Sequence, residues 1–297
     1  MAFHEPAIGN QYAVNRAIPL KRYAVIGNPI EHSRSPFIHE LFARQTGLAI
    51  TYEKIKAPLD RFETTVREFF AQGGQGLNVT VPFKEEAFAL ANPNLTPRAR
   101  LAAAVNTLWM DKGNLHGCNT DGVGLLNDLL RLGHSPKDKE ILLIGAGGAA
   151  RGVVFPLLEA GCARLRIINR SPERALTLHR HLVEQLPDLS PRLSCGSLAD
   201  AGGPWDMVIN ATSSSLGQAA PDLPGNLYKP VSLAYDMVYG GQATPFMRQA
   251  AEQGAQTVAD GLGMLVGQAA ASFAIWHDAT PDMEAVLTAL RQQLRAH

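Results

Sequence analysis

The run Ile141-Leu142-Leu143-Ile144-Gly145-Ala146-Gly147-Gly148-Ala149-Ala150 (ILLIGAGGAA) decides the fold. Four consecutive apolar residues read as a buried strand, and the glycines after them break it. Gly145 permits a tight turn off the strand end, and Gly147 leaves its backbone open to close approach by a ligand. Small Ala149 and Ala150 let the following helix pack tightly on the sheet. Unpaired N–H groups at the start of that helix, around Ala146, Gly147 and Gly148, would then face an anion. Strand, glycine turn and helix in this order form the dinucleotide-binding fingerprint Gly-x-Gly-x-x-Ala.

The second strand of such a unit, expected at Arg164–Ile168, carries the choice of cofactor. NAD-binding chains place a carboxylate near its end to hold the ribose 2′-hydroxyl. Here the chain reads Ile168-Asn169-Arg170-Ser171, with Arg174 one helical turn on. Arg170 and Arg174 suit a 2′-phosphate, since guanidinium offers two parallel donors, and Asn169 and Ser171 can add hydrogen bonds. A merely solvated arginine pair is less favoured beside a helix N-terminus, where the helix dipole opposes cations. NADP is therefore expected over NAD.

On the C-terminal side, strands are expected at Met207–Asn210 and Leu233–Asp236, and helices at Pro172–Glu184, Thr244–Gln253, Gly261–His277 and Pro281–Arg295. On the N-terminal side, strands are expected at Arg22–Ile26, Ile50–Lys56, Leu77–Val81, Val105–Met110 and Asn114–Gly117. The last two are joined by the turn Asp111-Lys112-Gly113. Helices are expected at Pro36–Thr46, Leu59–Phe70, from Pro82 onward, and at Asp121–Leu132, with Thr120 as N-cap and Gly133 as stop. Alternating strands and helices predict an α/β chain with mainly parallel sheets. Its 297 residues exceed one ordinary core. The expected division is a substrate domain over 1–120 and 262–297 and a Rossmann domain over 121–261, with hinge closure where the chain crosses at Thr120–Gly122 and Asp260–Gly263.

Composition narrows the partners. Lys plus Arg equals Asp plus Glu at 27 each, which argues against nucleic acid or an anionic membrane. No apolar run reaches the ~20 residues a membrane span needs. Residues 1–20 lack a signal-peptide core and read as a loosely held extension. Cys118, Cys162 and Cys195 are widely spaced, so neither a disulfide framework nor a zinc site is expected, and the compartment reads as reducing and cytoplasmic. His179 and His181 would diverge by ~200° around a helix, so no metal site is expected. Trp109, Trp205 and Trp276 are expected to pack.

Four polar clusters stand near strand ends or helix starts in the N-terminal part: Ser33-Arg34-Ser35-Pro36, Asn78-Val79-Thr80-Val81-Pro82-Phe83-Lys84, Ala104-Val105-Asn106-Thr107 and Asn119-Thr120-Asp121-Gly122. Pro36 suits the first helical position, which puts Ser35 at the N-cap, where a carboxylate could bind. Ligands of open α/β sheets lie beyond the carboxyl ends of strands, so the clusters are expected to share one crevice.

SRSP, NVTVPFK, AVNT and NTDG, followed by GAGGAA and NRS, resemble the shikimate dehydrogenase family from about Arg22 to beyond Gln268. The resemblance implies an N-terminal substrate domain, a Rossmann domain, and last helices that return to the first. It implies NADP-dependent reduction of 3-dehydroshikimate to shikimate, toward chorismate and the aromatic amino acids, in a monomer or homodimer. The residues it implies for catalysis are Lys84 and Asp121. For substrate it implies Ser33, Ser35, Asn78, Thr80, Asn106, Tyr239 and Gln268, and beside the cofactor Thr212, Met237, Gly261 and Met264. The run Thr212-Ser213-Ser214-Ser215-Leu216-Gly217 departs from the family's NATSxG by its extra serines.

The chemistry agrees with those roles. Hydride transfer to a ketone builds charge on oxygen, which an ammonium stabilises and protonates. A carboxylate beside it holds the ammonium and accepts a bond from a neighbouring hydroxyl. Taken singly, Lys84 could be a surface lysine, Asp121 a first-turn acid, and Ser33 and Ser35 turn or cap residues. Two rival functions are a quinate/shikimate dehydrogenase using NAD and a non-catalytic NADP-binding regulator; the latter has no need of a proton donor.

Overall fold

A computed structural model of the chain describes residues 20–295. The expected N-terminal extension, apart from Leu20, lies outside them. The first part contains β1 (Lys21–Gly27), α1 (Ser35–Thr46), β2 (Ile50–Lys56), α2 (Phe62–Ala71), β3 (Gly74–Val79), α3 (Lys84–Ala91), α4 (Pro97–Ala102), β4 (Thr107–Asp111) and β5 (Asn114–Cys118). Its sheet runs β2-β1-β3-β4-β5. After α5 (Asp121–Arg131) come β6 (Glu140–Ile144), α6 (Gly148–Glu159), β7 (Arg164–Asn169), α7 (Pro172–Gln185), β8 (Leu193–Ser197), β9 (Trp205–Asn210), β10 (Tyr228–Asp236), α8 (Pro245–Glu252) and β11 (Thr257–Asp260). They form the sheet β11-β10-β9-β6-β7-β8, parallel throughout. The chain closes with α9 (Leu262–His277) and α10 (Met283–Arg295).

The second sheet is buried on both faces, which is why β6 is apolar at every step from Ile141 to Ile144. Ile141 and Leu143 pack with Leu125 and Leu129 of α5 and Val153 and Leu157 of α6. Leu142 and Ile144 face the other way, onto Trp205 and onto Phe246 of α8. In the first sheet Ala24 and Ile26 pack with Phe62, Val66 and Phe69 of α2. Tyr23 points to the opposite face, its ring 5.0 Å from that of Trp276 on α9. Helices α1, α9 and α10 share Ile38, Phe42, Val266, Phe273 and Leu290. Each such side chain is worth about 1.5–3 kcal/mol when fully buried.

Several expectations change. The first sheet is mixed: β1 is parallel to β2 and β3, whereas β3–β4 and β4–β5 are antiparallel. The two-residue turn Lys112-Gly113, with φ of 47° and 79°, returns β5 directly along β4, which allows only antiparallel pairing. Strand β3 ends at Val79 and helix α2 begins at Phe62. Strands β8 and β11 and helix α4 were not predicted, because short segments give little periodicity. Gly133 (φ 81°) ends α5 as expected: its own N–H reaches Leu130 O, and that of His134 reaches Leu129 O. Trp205 is buried, Trp276 donates to Leu108 O, and Trp109 stacks on His116. Among the described residues no helix is long and apolar enough to cross a membrane.

One crossing positions the site. Helices α5 and α9 meet at Gly124 and Gly267; a Cβ on Gly124 would lie 2.6 Å from Met264 O and 2.7 Å from the N of Gln268. Only glycine allows so close an approach, and it brings Gln268 beside Thr120.

Candidate active site

Lys84 opens α3 and Asp121 opens α5, so each side chain leaves the first residue of a helix that follows a strand end. Buried Phe83, stacked on Phe62 with ring centroids 4.7 Å apart, anchors the start of α3. Lys84 Nζ donates to Asp121 Oδ2 at 2.6 Å, with side chains only 14% and 6% exposed. The other oxygen, Asp121 Oδ1, accepts from Asn106 Nδ2 at 2.9 Å.

Thr120 was expected to cap α5, but its side chain makes no cap bond. Asn119 Oδ1 accepts from Asp121 N instead, at 3.0 Å. The Thr120 hydroxyl is drawn to Gln268 O, 3.0 Å away across the α5–α9 crossing. Nor is Ser35 the cap of α1: Arg34 holds that position and Ser35 is the first helical residue. Ser33 Oγ accepts from Ser35 N and donates to Ser35 Oγ, each at 3.3 Å, so the nearby Ser33 hydroxyl occupies the Ser35 N–H.

The expected substrate residues are linked. Burial pushes the Tyr52 phenol well above its ordinary range, opposed by the neighbouring Ser35 hydroxyl. Tyr52 OH donates to Asn78 Oδ1 at 2.7 Å. Asn78 Nδ2 lies 3.2 Å from Asn106 O, and Asn106 Nδ2 is 3.3 Å from Gln268 Oε1. Half-buried Thr80 stands just past β3, its methyl filling the space above Gly27. Tyr239 packs on the α1–α9–α10 cluster; burial raises its phenol, opposed by the nearby Arg34 cation.

The glycine turn lies on the other side of the lysine. Gly145 has φ 118°, a conformation side chains rarely adopt, and among the described residues a Cβ on Gly147 would meet nothing within 4 Å. Helix α6 starts at Gly148 without a side-chain cap, so Ala146, Gly147, Gly148 and Ala149 present backbone. This open cradle fits a dinucleotide pyrophosphate. A Cβ on Gly148 would lie 3.3 Å from Cβ and Cδ of Lys84, which places the lysine stem directly against the turn. Arg170, Ser171 and Arg174 are exposed at the end of β7 and the start of α7. Asn169 Nδ2 is held by Ser171 O at 3.0 Å.

Past β9, the Thr212 amide and hydroxyl both donate to Asn210 Oδ1. Asn210 Nδ2 in turn reaches Asp236 Oδ1 at 3.1 Å, and Asp236 Oδ2 accepts from Ser215 and Thr244, both at 2.6 Å. Burial raises the Asp236 carboxyl, and these donors counter it. The extra serine run is thus fastened by Ser215. Met237 N bonds Asn210 O. Gly261 packs on the Met237 backbone, and Met264 is buried in the second core beside Leu125.

Sequence reasoning missed Tyr52, Ser272 and Asp236, and named Thr107 only as a member of the Ala104–Thr107 cluster. Ser272 stands one turn after Gln268, so helical spacing could have flagged it. Nothing local to Tyr52 marks it out.

A doubly wound sheet with a glycine turn, an arginine pair at its second strand, and an ammonium–carboxylate pair against that turn defines a nicotinamide-dependent oxidoreductase. Comparison with known proteins agrees. Residues 25–108 match the model of the shikimate dehydrogenase substrate binding domain, 130–217 that of shikimate / quinate 5-dehydrogenase, and 261–291 that of the shikimate 5′-dehydrogenase C-terminal domain. The chain belongs to the shikimate dehydrogenase family. It is 62% identical over 277 residues to a shikimate dehydrogenase (NADP(+)) of Bordetella avium, covering 93% of this chain and 97% of that one. A protein of the same name from Bordetella petrii is 58% identical over 285 residues, 95% of this chain and 99% of that one. The crystal structure of Thermus thermophilus shikimate 5-dehydrogenase in complex with NADP(H) and shikimate superposes with a TM-score of 0.81 at 34% identity, over 93% of this chain and 100% of that one.

Proposed function

We propose that the chain catalyses the reversible NADP-dependent reduction of the ring ketone of 3-dehydroshikimate to shikimate, on the route to chorismate and the aromatic amino acids. The observation that carries this reading is the Lys84–Asp121 pair at 2.6 Å, with the lysine stem against Gly148 of the glycine turn. In this reading Lys84 is the proton donor to a carbonyl that faces the nicotinamide.

When bound, NADPH supplies the hydride. Lys84 gives its proton to the ketone oxygen as charge builds there and stabilises that charge electrostatically. Asp121 holds the ammonium in place and accepts from the neighbouring ring hydroxyl. Ser33, Ser35 and Thr80 hold the substrate carboxylate. Asn78, Asn106, Gln268 and Tyr239 orient the ring. Arg170, with Arg174, Asn169 and Ser171, binds the 2′-phosphate, while Gly145 to Ala149 cradle the pyrophosphate, and Thr212, Met237, Gly261 and Met264 flank the nicotinamide side. In this reading residues 1–120 with 262–297 form the substrate domain and 121–261 the cofactor domain.

The test is NADPH oxidation with 3-dehydroshikimate, and the reverse reaction with shikimate, each repeated with NAD(H) and with quinate. Turnover of 3-dehydroshikimate with NADPH is expected. Binding without turnover would instead identify a regulator, and a higher kcat/KM for quinate with NAD would identify the rival dehydrogenase.

A further inference from the structure

The Ser272 hydroxyl, fully buried on α9, reaches polar groups of four separate positions. Thr107 Oγ1 lies at 2.7 Å, Asn78 Nδ2 at 2.9 Å, Gln268 O at 3.0 Å and Thr120 Oγ1 at 3.2 Å. A hydroxyl has one proton to give, so the network admits few solutions. Two backbone groups fix the amide orientations. Asn106 O can only accept, so the group of Asn78 facing it at 3.2 Å is the nitrogen. Thr120 N can only donate, so the group of Asn106 facing it at 2.9 Å is the oxygen. Asn106 Nδ2 therefore faces Asp121.

The protons follow. Asn78 Nδ2 donates to Ser272. Thr107 Oγ1 donates to Asn106 Oδ1 at 2.9 Å, which leaves the Thr107 oxygen to accept from Ser272. Thr120 Oγ1 accepts from Asn106 Nδ2 and donates to Gln268 O, both at 3.0 Å. The bonds then run one way: Tyr52 to Asn78, Ser272, Thr107, Asn106 and Asp121, whose far oxygen Lys84 grips. Bonds aligned in this way polarise one another.

We propose that Ser272 is a positioning residue for catalysis: by donating to Thr107 it commits the Thr107 proton to Asn106 Oδ1, a second hold on the amide that Thr120 N–H already turns toward Asp121, and so steadies the carboxylate that holds Lys84. This rests on the proposed function. A serine that merely back-bonds to the carbonyl one turn earlier would contribute to stability alone.

Ser272→Ala and isosteric Thr107→Val separate the two. Each is expected to lower kcat about tenfold, the equivalent of one buried hydrogen bond, with the KM for NADPH unchanged. The double variant is expected to fall no further than either single one, because both cut the same chain. Thr107→Ser, which keeps the hydroxyl, is expected to retain wild-type kcat. Wild-type kcat with a lowered Tm in Ser272→Ala, or losses that multiply in the double variant, would overturn the proposal. A second readout needs no turnover: in NMR spectra of the full chain the Asn106 side-chain amide signals are expected to shift or broaden in Ser272→Ala and in Thr107→Val. Unchanged Asn106 signals would also overturn it. Should the wild-type chain fail to turn over 3-dehydroshikimate, the functional reading falls, and the NMR comparison still decides the role of Ser272.

Discussion

Replacing Lys84 by methionine isolates what the ammonium does. The stem lies against the glycine turn, with Cβ, Cγ and Cδ between 3.3 and 3.7 Å from the position a Cβ on Gly148 would occupy. Methionine keeps an unbranched stem there and removes the charge, whereas alanine also removes the packing. Loss of a general acid costs about 10²–10⁴ in rate, or about 3–5 kcal/mol of barrier. The same change leaves buried Asp121 with Asn106 as its side-chain donor. Breaking a fully buried pair costs about 3–5 kcal/mol; this pair opens onto a cleft, with Lys84 14% exposed, so about 1–2 kcal/mol is expected after screening. Ser33, Ser35 and the arginines at the end of β7 are untouched. In steady-state NADPH oxidation kcat should therefore fall about 10²–10⁴-fold, while NADPH binding followed by fluorescence stays within a factor of about three, a difference of under 1 kcal/mol. Lys84→Ala should match this kcat loss and melt lower. A methionine variant with kcat close to wild type would refute the assignment of Lys84, as would a kcat loss matched by equal loss of cofactor affinity.

Arg170→Ala should weaken NADPH about tenfold and leave NADH unchanged, since one exposed charge-assisted contact to the 2′-phosphate is worth about 1–2 kcal/mol; equal losses for both cofactors would remove the phosphate argument. Burial holds fully buried His39 at about 3, below its ordinary 6.5, with the nearby Asn78 side chain opposing the shift. The unfolded chain therefore binds the extra proton between these values, so stability is complete above about pH 6.5 and is lost as pH falls. One proton over the interval from 6.5 to about 5 costs roughly 2 kcal/mol. Urea unfolding of His39→Phe should show a correspondingly flatter pH dependence than wild type, with identical slopes counting against the idea. In Gly122→Ala the new Cβ would strike Pro156 of α6 and lie 2.7 Å from Gly152 O. The expected overpacking cost is about 1–3 kcal/mol, with a lower kcat as Asp121 shifts; an unchanged Tm would show that the contact yields freely.

Local pattern carried much of the molecule. The apolar run from Ile141 to Ile144 and its glycines determined the cofactor fold, because a strand covered on both faces must be apolar throughout and the turn after it needs backbone freedom. Strand Ile50–Lys56 alternates and is found over those same residues. Lys84 and Asp121 were legible as helix-start residues within motifs, and the structure joins them across 37 positions. The order of the first sheet, the cap of α5 and the partner of each hydroxyl were not legible. Thr120 reads as an N-cap by itself, and turns to Gln268 O, 148 residues away, only once α5 and α9 cross glycine to glycine. Ser272 meets Thr107 across 165 positions for the same reason. Backbone preferences are set by near neighbours. A buried hydroxyl has one proton and takes whichever acceptor the packed helices bring to it, and that choice exists only in the folded chain.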